Sequence, residues 1–238
     1  MDRYCELTAE QVSLYKKYAH QESERIKKIP GQTVKMDATI FSALIRLKQI
    51  CCHPALVTKD FEKVHGRSGK LDAFIEIIDE IIEGNEKALV FSQFTEMLSI
   101  IRRVLDEKQI KYFYLDGATP EATRTKLKKD FQAGAVPFFL ISLRAGGVGL
   151  TLTEANCVVH YDRWWNPAVE DQATDRVHRI GQTKTVKVFR IHTSGTIEDR
   201  IGELLVKKKD LFDSVIEPDD LKKEISKEEL LSLFAPPA

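Results

Sequence analysis

The chain has 238 residues, 43% of them apolar and 30% charged, which excludes wholesale disorder and suits one large domain or a domain with an appendage. Its 36 Lys and Arg cancel its 36 Asp and Glu; this excludes a non-specific polycation but not a local phosphate-binding stripe. No apolar run approaches the ~20 residues that span a bilayer, no secretory signal opens the chain, and its four cysteines form no Cys-x-x-Cys, so a reduced, intracellular chain is expected.

Residues 1 to about 62 carry no strand pattern. Thr8, Glu10-Gln11 and then Val12, Leu14, Tyr15 and Tyr18 predict a capped amphipathic helix, broken at Pro30-Gly31. Ile40, Leu44, Leu47 and Cys51 predict a second helix that His53-Pro54 stops, and Cys51-Cys52-His53 is too compressed for a zinc hairpin. The polar stretch Lys59 to Lys70, with Gly66-Arg67-Ser68-Gly69, reads as a linker. Beyond it strands and helices alternate. A helix through Leu71 and Ile82 ends near Gly84-Asn85, strand Lys87 to Ser92 follows, then a helix with Met97, Ile101, Val104 and Leu105. Strand Tyr112 to Leu115, helix Pro120 to Phe131 and strand Pro137 to Ile141 lead into a glycine-rich segment, Ala145 to Gly149. Strand Cys157 to Tyr161 precedes a helix opened by Asn166-Pro167 and closed by Gly181; strand Thr185 to Ile191 and a helix from Thr196 to Asp213 come last, before a charged tail. Alternation of this kind predicts an α/β fold, a parallel sheet with helices on both faces, plus the N-terminal helical segment. The expected divisions are 1–65, 66–205 and 206–238.

In such a sheet ligands sit outside the carboxyl ends of the strands. That rim collects Ser92-Gln93, Asp116-Gly117, Ser142 to Gly149 and Asp162 to Trp165. In the helix after Asn166-Pro167, Gln172, Arg176 and Arg179 fall within about 60° of arc, beside an apolar stripe of Val169, Ala173, Val177 and Ile180. Two guanidiniums on one rigid face could stabilise charge on a transferring phosphoryl group; equally, Asp175 and Arg179 could form an ordinary i,i+4 pair on a solvated face. Gly146, Gly147 and Gly149 after a buried strand let backbone amides approach an anion, or simply make a tight turn. They match neither a dinucleotide fingerprint nor a P-loop. Trp164-Trp165 suits core packing or stacking on nucleic acid. No histidine shows metal-ligand spacing and no hydrolase triad is present, so no metal site is expected.

Leu89-Val-Phe-Ser-Gln-Phe94, Tyr114-Leu-Asp-Gly-Ala-Thr119, Ser142-Leu-Arg-Ala-Gly-Gly-Val-Gly-Leu150 and Asp162-Arg-Trp-Trp-Asn-Pro167 follow one another, ending in Gln172-Ala-Thr-Asp-Arg-Val-His-Arg-Ile-Gly-Gln182. Together they closely resemble the second RecA-like lobe of the Swi2/Snf2 family of superfamily 2 DNA translocases. The resemblance covers Cys5 to about Leu205 and implies a three-layer RecA-like sheet of the P-loop NTPase type. It places Arg176 and Arg179 as arginines reaching the phosphates of ATP held by a first lobe. Gln172, Gly147, Gly149 and Asp175 fall in the nucleotide-coupling segments. Ser92, Gln93, Gly117, Thr119, Arg144 and Trp165 fall in segments that engage DNA.

Walker A and Asp-Glu-x-His sequences are missing, so ATP and Mg2+ are expected to bind mainly to an absent first lobe. The chain is therefore expected to be one part of a longer protein, bounded at Met1, and inactive as an ATPase alone. The resemblance implies double-stranded DNA and the first lobe as partners, no membrane, and a monomeric isolated lobe. Its place is wherever the genome is: a prokaryotic cytoplasm, favoured because no import-like basic cluster stands out, or a eukaryotic nucleus. Two rivals stay open, a strand-separating helicase lobe and a non-catalytic nucleic-acid-binding module.

Overall fold

The computed structural model describes residues 1–143, 152–165, 167–177, 182, 184–207 and 224–237. The elements run β1 (Asp2–Cys5), α1 (Ala9–Lys27), β2 (Thr33–Lys35), α2 (Ala38–Cys52), α3 (Ala55–Thr58), α4 (Gly69–Glu83), β3 (Ala88–Ser92), α5 (Thr95–Glu107) and β4 (Tyr112–Leu115). They continue with α6 (Glu121–Gln132), β5 (Phe138–Ser142), β6 (Cys157–His160), α7 (Pro167–Thr174), β7 (Lys187–Thr193), α8 (Ile197–Lys207), β8 (Glu224–Ser226) and α9 (Lys227–Leu233).

Six strands form one sheet in the order β1-β7-β6-β3-β5-β4. The registers pair β3 with β5 and β6, β4 with β5, and β6 with β7, all parallel. Met1 N donates to Val188 O while Arg190 N donates to Met1 O, the i−1/i+1 pattern of a parallel pair, so β1 is parallel to β7 as well. Every residue of β3, β5 and β6 is buried. Since side chains alternate between faces, this requires helices on both sides of the sheet. One core cluster includes Leu89, Phe91, Phe131, Phe139, Ile141 and Val158, with Ala173 and Val177 closing it from beyond β6. Full burial of side chains of this size contributes about 1.5–3 kcal/mol each.

The structure divides into two units: Met1–Arg3 with Asp72–Ile191, and Tyr4–Leu71 with His192–Ala238. The first contains most of the sheet. The second starts from α1, capped by Thr8 and Gln11 as the sequence predicts: Thr8 Oγ1 accepts from Gln11 N at 3.3 Å and Gln11 Oε1 from Thr8 N at 3.0 Å. The buried Gln11 amide also donates to Ile50 O and Cys51 O, carbonyls that the end of α2 leaves without helical partners. Strands β2 and β8 pair antiparallel, Val34 opposite Ile225. Arg200 of α8 donates to Ala235 O and Pro236 O at 2.6 and 2.7 Å. The described residues of the tail, 224–237, thus pack within the same unit as the N-terminal helices.

Three expectations are corrected. The first 62 residues do contain strands, β1 and β2; both are short, and their partners β7 and β8 lie more than 180 residues away, so no local apolar run marks them. The Lys59–Lys70 stretch is not a free linker: Arg67 pairs with Glu10 and Asp60, and Ser68 Oγ donates to Cys52 O. A side chain on Gly69 would meet Glu6 O at 2.1 Å, so a glycine is needed there for close backbone approach. Finally, the helix opened by Pro167 does not run to Gly181; its last helical residue is Thr174. Asp175 N still bonds Asp171 O, but Arg176 N and Val177 N reach back three residues to Ala173 O and Thr174 O, tightening the chain into a turn.

Candidate nucleotide and nucleic-acid interface

At the carboxyl ends of the strands, buried carboxylates organise the loops. Asp162, two residues past β6, is fully buried. It accepts hydrogen bonds from Ser92 Oγ, from Gln93 N at 3.2 Å and from Gln93 Nε2 at 2.7 Å. Gln93 Nε2 also donates to Arg163 O at 3.2 Å. Ser92 is itself buried, with Phe94 N donating back to its oxygen. The pair that the resemblance places against DNA is thus turned into the fold, where it ties the end of β3 to the loop after β6. An apolar strand closed by Ser-Gln opposite another closed by Asp was visible in the sequence; their pairing was not.

Glu170 of α7 is the second organiser, 1% exposed. Both its oxygens accept from Arg163 Nε, at 2.8 and 2.9 Å, and Oε1 accepts from Trp164 N at 2.7 Å. Arg190 of β7 stands 3.7 Å from Oε2. A carboxylate in the first turn of a helix gains from the positive dipole end, and here it also clamps the Arg163–Trp164 backbone. Trp165 is 3% exposed and Trp164 packs half-buried against the sheet core. Of the two readings of Trp164-Trp165, core packing holds for Trp165, beside the clamped Arg163–Trp164 backbone.

The loop after β4 is the exposed part of the rim. Asp116 Oδ1 accepts from Ala118 N and Thr119 Oγ1, both at 3.0 Å, and Oδ2 accepts from Tyr114 OH at 2.9 Å. Burial raises the Asp116 pKa, but these bonds outweigh it and hold the carboxyl below its ordinary value. Thr119 Oγ1 also accepts from Asp116 N at 3.1 Å and Thr119 N donates to Asp116 O at 3.3 Å. Thr119 therefore shapes the loop from within, while Gly117 is exposed.

Arg176 sits in the turn after α7, 4% exposed, whereas Gln172 and Asp175 are exposed. The expected single face carrying Gln172 and Arg176 is not formed, because the helix ends between them and Ala173 and Val177 pull the turn into the core. Leu152, the first described residue after the glycine-rich segment, donates its amide to Arg176 O at 3.0 Å. Beside this turn His160 Nε2 lies 3.1 Å from Thr174 Oγ1. Burial, then the charges of Arg190 and Arg163, push the His160 pKa down to about 3. Gln182 anchors the far end of the motif, its amide donating to Thr153 O and Ala155 O. Arg144, Gly147, Gly149 and Arg179 lie outside the described residues. Among the described residues no three His, Cys, Asp or Glu side chains are grouped to hold a metal, and no helix is long and apolar enough to cross a membrane.

Comparison with known proteins agrees with this architecture. Residues 69–181 match the model of the helicase conserved C-terminal domain. Over 236 residues the chain is 42% identical to the putative ATP-dependent helicase/translocase YwqA of Bacillus subtilis, covering 97% of this chain and 25% of that protein. The SWI2/SNF2 ATPase C-terminal domain of Sulfolobus solfataricus superposes with a TM-score of 0.79 at 35% identity, covering 100% of this chain and 98% of that one. The SWI2/SNF2 ATPase core of the same organism, solved in complex with double-stranded DNA, gives 0.77 at 39% identity over 93% of this chain and 46% of that one. Fold and rim together define a RecA-like helicase C-terminal lobe. More narrowly, the chain belongs to the SWI2/SNF2 family and constitutes the C-terminal lobe of its ATPase core. It spans about a quarter of the length of the curated relatives it matches, 25% of the first and 22% of the second.

Proposed function

We propose that this lobe is the second half of an ATP-dependent motor that tracks double-stranded DNA, its catalytic contribution being Arg176 and Arg179. ATP, the substrate, and Mg2+ are assigned to a first lobe, because the described residues offer no grouped metal donors and the chain has no Walker A sequence. Two guanidiniums supplied across the cleft would neutralise charge spread over the transferring phosphoryl oxygens. Without the first lobe they have no phosphate to act on, so the isolated chain is inactive.

The observation that carries this reading is the Leu152 N to Arg176 O bond. It ties the residue that opens the chain beyond the glycine-rich segment to the arginine turn through backbone, so the start of the following loop and the turn are held together. With Arg176 drawn into the lobe, closure over ATP must bring the guanidinium out or the phosphate in; Gln172 and Asp175, on the same stretch, are already exposed. Gly117 is the rim residue best placed for DNA. Ser92, Gln93, Thr119 and Trp165 act on DNA indirectly, by holding the loops. The Sulfolobus relative's complex with double-stranded DNA supports a duplex as the track, gripped through phosphates and hence sensitively to salt.

A protein carrying both lobes should, with ATP, displace streptavidin from end-biotinylated duplex DNA without separating the strands. Release of single strands would identify a strand-separating helicase. Duplex binding without ATP turnover would identify a non-catalytic module.

A further inference from the structure

One guanidinium holds three carbonyl oxygens of the loop between β4 and α6. Arg124, on the first turns of α6, donates from Nε to Thr119 O at 2.7 Å and from one terminal nitrogen to Asp116 O at 3.1 Å and Gly117 O at 3.2 Å. Arg124 is half-buried. Its side chain turns back onto the loop that precedes its own helix.

The peptide plane converts this grip into a direction. In a trans peptide the C=O of one residue and the N–H of the next point in opposite senses, and the described residues contain no cis bond. With Asp116 O facing Arg124, the Gly117 N–H faces away from α6, towards solvent. The next two amides are used inside the loop, Ala118 N on Asp116 Oδ1 and Thr119 N on Asp116 O. That leaves Gly117 N–H as the outward donor. Gly117 has no left-handed φ, and a Cβ built on it meets nothing within 4 Å. Nothing inside the lobe requires glycine there, and its lack of a side chain leaves the backbone open to close approach by an outside group.

We propose that Arg124 is a positioning residue that aims the Gly117 amide at a DNA backbone phosphate, and is not itself a phosphate contact. The Tyr114–Asp116 bond braces the same loop from the sheet side. This rests on the reading that the loop meets DNA, so the test separates the two.

In the two-lobed protein, duplex affinity is measured over a series of salt concentrations. Because a planar fork grips the three carbonyls, Arg124→Lys should weaken binding as much as Arg124→Ala, by about tenfold, through misplacement of the amide. The slope of log Kd against log salt should stay unchanged, since no ion-releasing contact is lost. Tyr114→Phe should weaken binding by about twofold to threefold, and it carries the test where Arg124→Ala lowers the melting temperature. Wild-type affinity in Arg124→Lys, with a shallower slope in Arg124→Ala, would overturn the proposal and make Arg124 a direct contact. Gly117→Val fits the open space, so unchanged affinity in that variant would overturn the DNA-facing reading of the loop itself. Weakened Gly117→Val beside wild-type binding in both Arg124 variants would overturn the Arg124 proposal alone.

Discussion

Acidification from pH 7 to 5 is expected to cost stability through His160. The ring is buried at the end of β6, stacked on Phe91 with centroids 5.7 Å apart, and its Nδ1 has no hydrogen-bond partner among the described residues. Burial first, and the nearby Arg190 and Arg163 charges second, lower its pKa from 6.5 to about 3. The folded state therefore refuses a proton that the unfolded chain accepts near pH 6.5. The stability linked to this group is present above that pH and is lost as pH falls towards 3. One proton difference gives a slope of about 1.4 kcal/mol per pH unit, hence about 2 kcal/mol by pH 5 and about 5 kcal/mol over the whole window. Carboxylates with lowered pKa, among them Glu10, Glu86, Asp116 and Glu198, keep their contributions until pH falls below their unfolded values near 4. The interval from 6.5 to 5 thus excludes the carboxylates, and the five other histidines are subtracted by comparison with a His160 variant. Urea unfolding at pH 7.5, 6.5, 5.5 and 5.0 should show a slope shallower in His160→Gln than in the wild type by about 1.4 kcal/mol per pH unit. Equal slopes in the two proteins would refute the reasoning.

Two further perturbations probe the other buried polar groups. In the second unit Lys70 Nζ and Glu198 Oε1 pair at 2.7 Å with both side chains at 0% exposure, and Thr193 N also donates to Glu198. Lys70→Met should cost about 3–5 kcal/mol by stranding a buried carboxylate, and Lys70→Met with Glu198→Leu should recover most of it; denaturant midpoints decide, and a single-variant loss below about 1 kcal/mol would contradict the pairing. Glu170→Gln removes the charge that grips Arg163 and Trp164 N, and should cost about 1.5–3 kcal/mol. The tryptophan near-ultraviolet dichroism should change with it, and an unchanged spectrum would count against the clamp.

The elements legible in the sequence were those with their own local signals. The capping pair at Thr8 and Gln11, the apolar runs of β3, β5 and β6, and the stop at His53-Pro54 all fall where the pattern places them. The family was legible because its motifs follow in order. What escaped was non-local. Three-residue β2 and four-residue β1 exist through partners far along the chain. The stop of α7 at Thr174 is accompanied by a bond from Leu152 N to the Arg176 carbonyl, a contact that no helical periodicity can report. Site residues shared this fate: Ser92, Gln93 and Trp165 were recognisable by position, but their inward placement goes with Asp162 and Glu170 reaching across the rim. The grip of Arg124 was not legible because its three acceptors are backbone atoms.

The central claim is that this lobe completes an ATPase site with Arg176 and Arg179. Its most direct test is DNA-stimulated ATP turnover in the two-lobed protein bearing Arg176→Ala or Arg179→Ala, with duplex and ATP saturating. Loss of a guanidinium that stabilises the transferring phosphoryl group should lower the rate by about 10³-fold or more while the duplex still binds. Turnover within about tenfold of wild type in either variant would contradict the assignment.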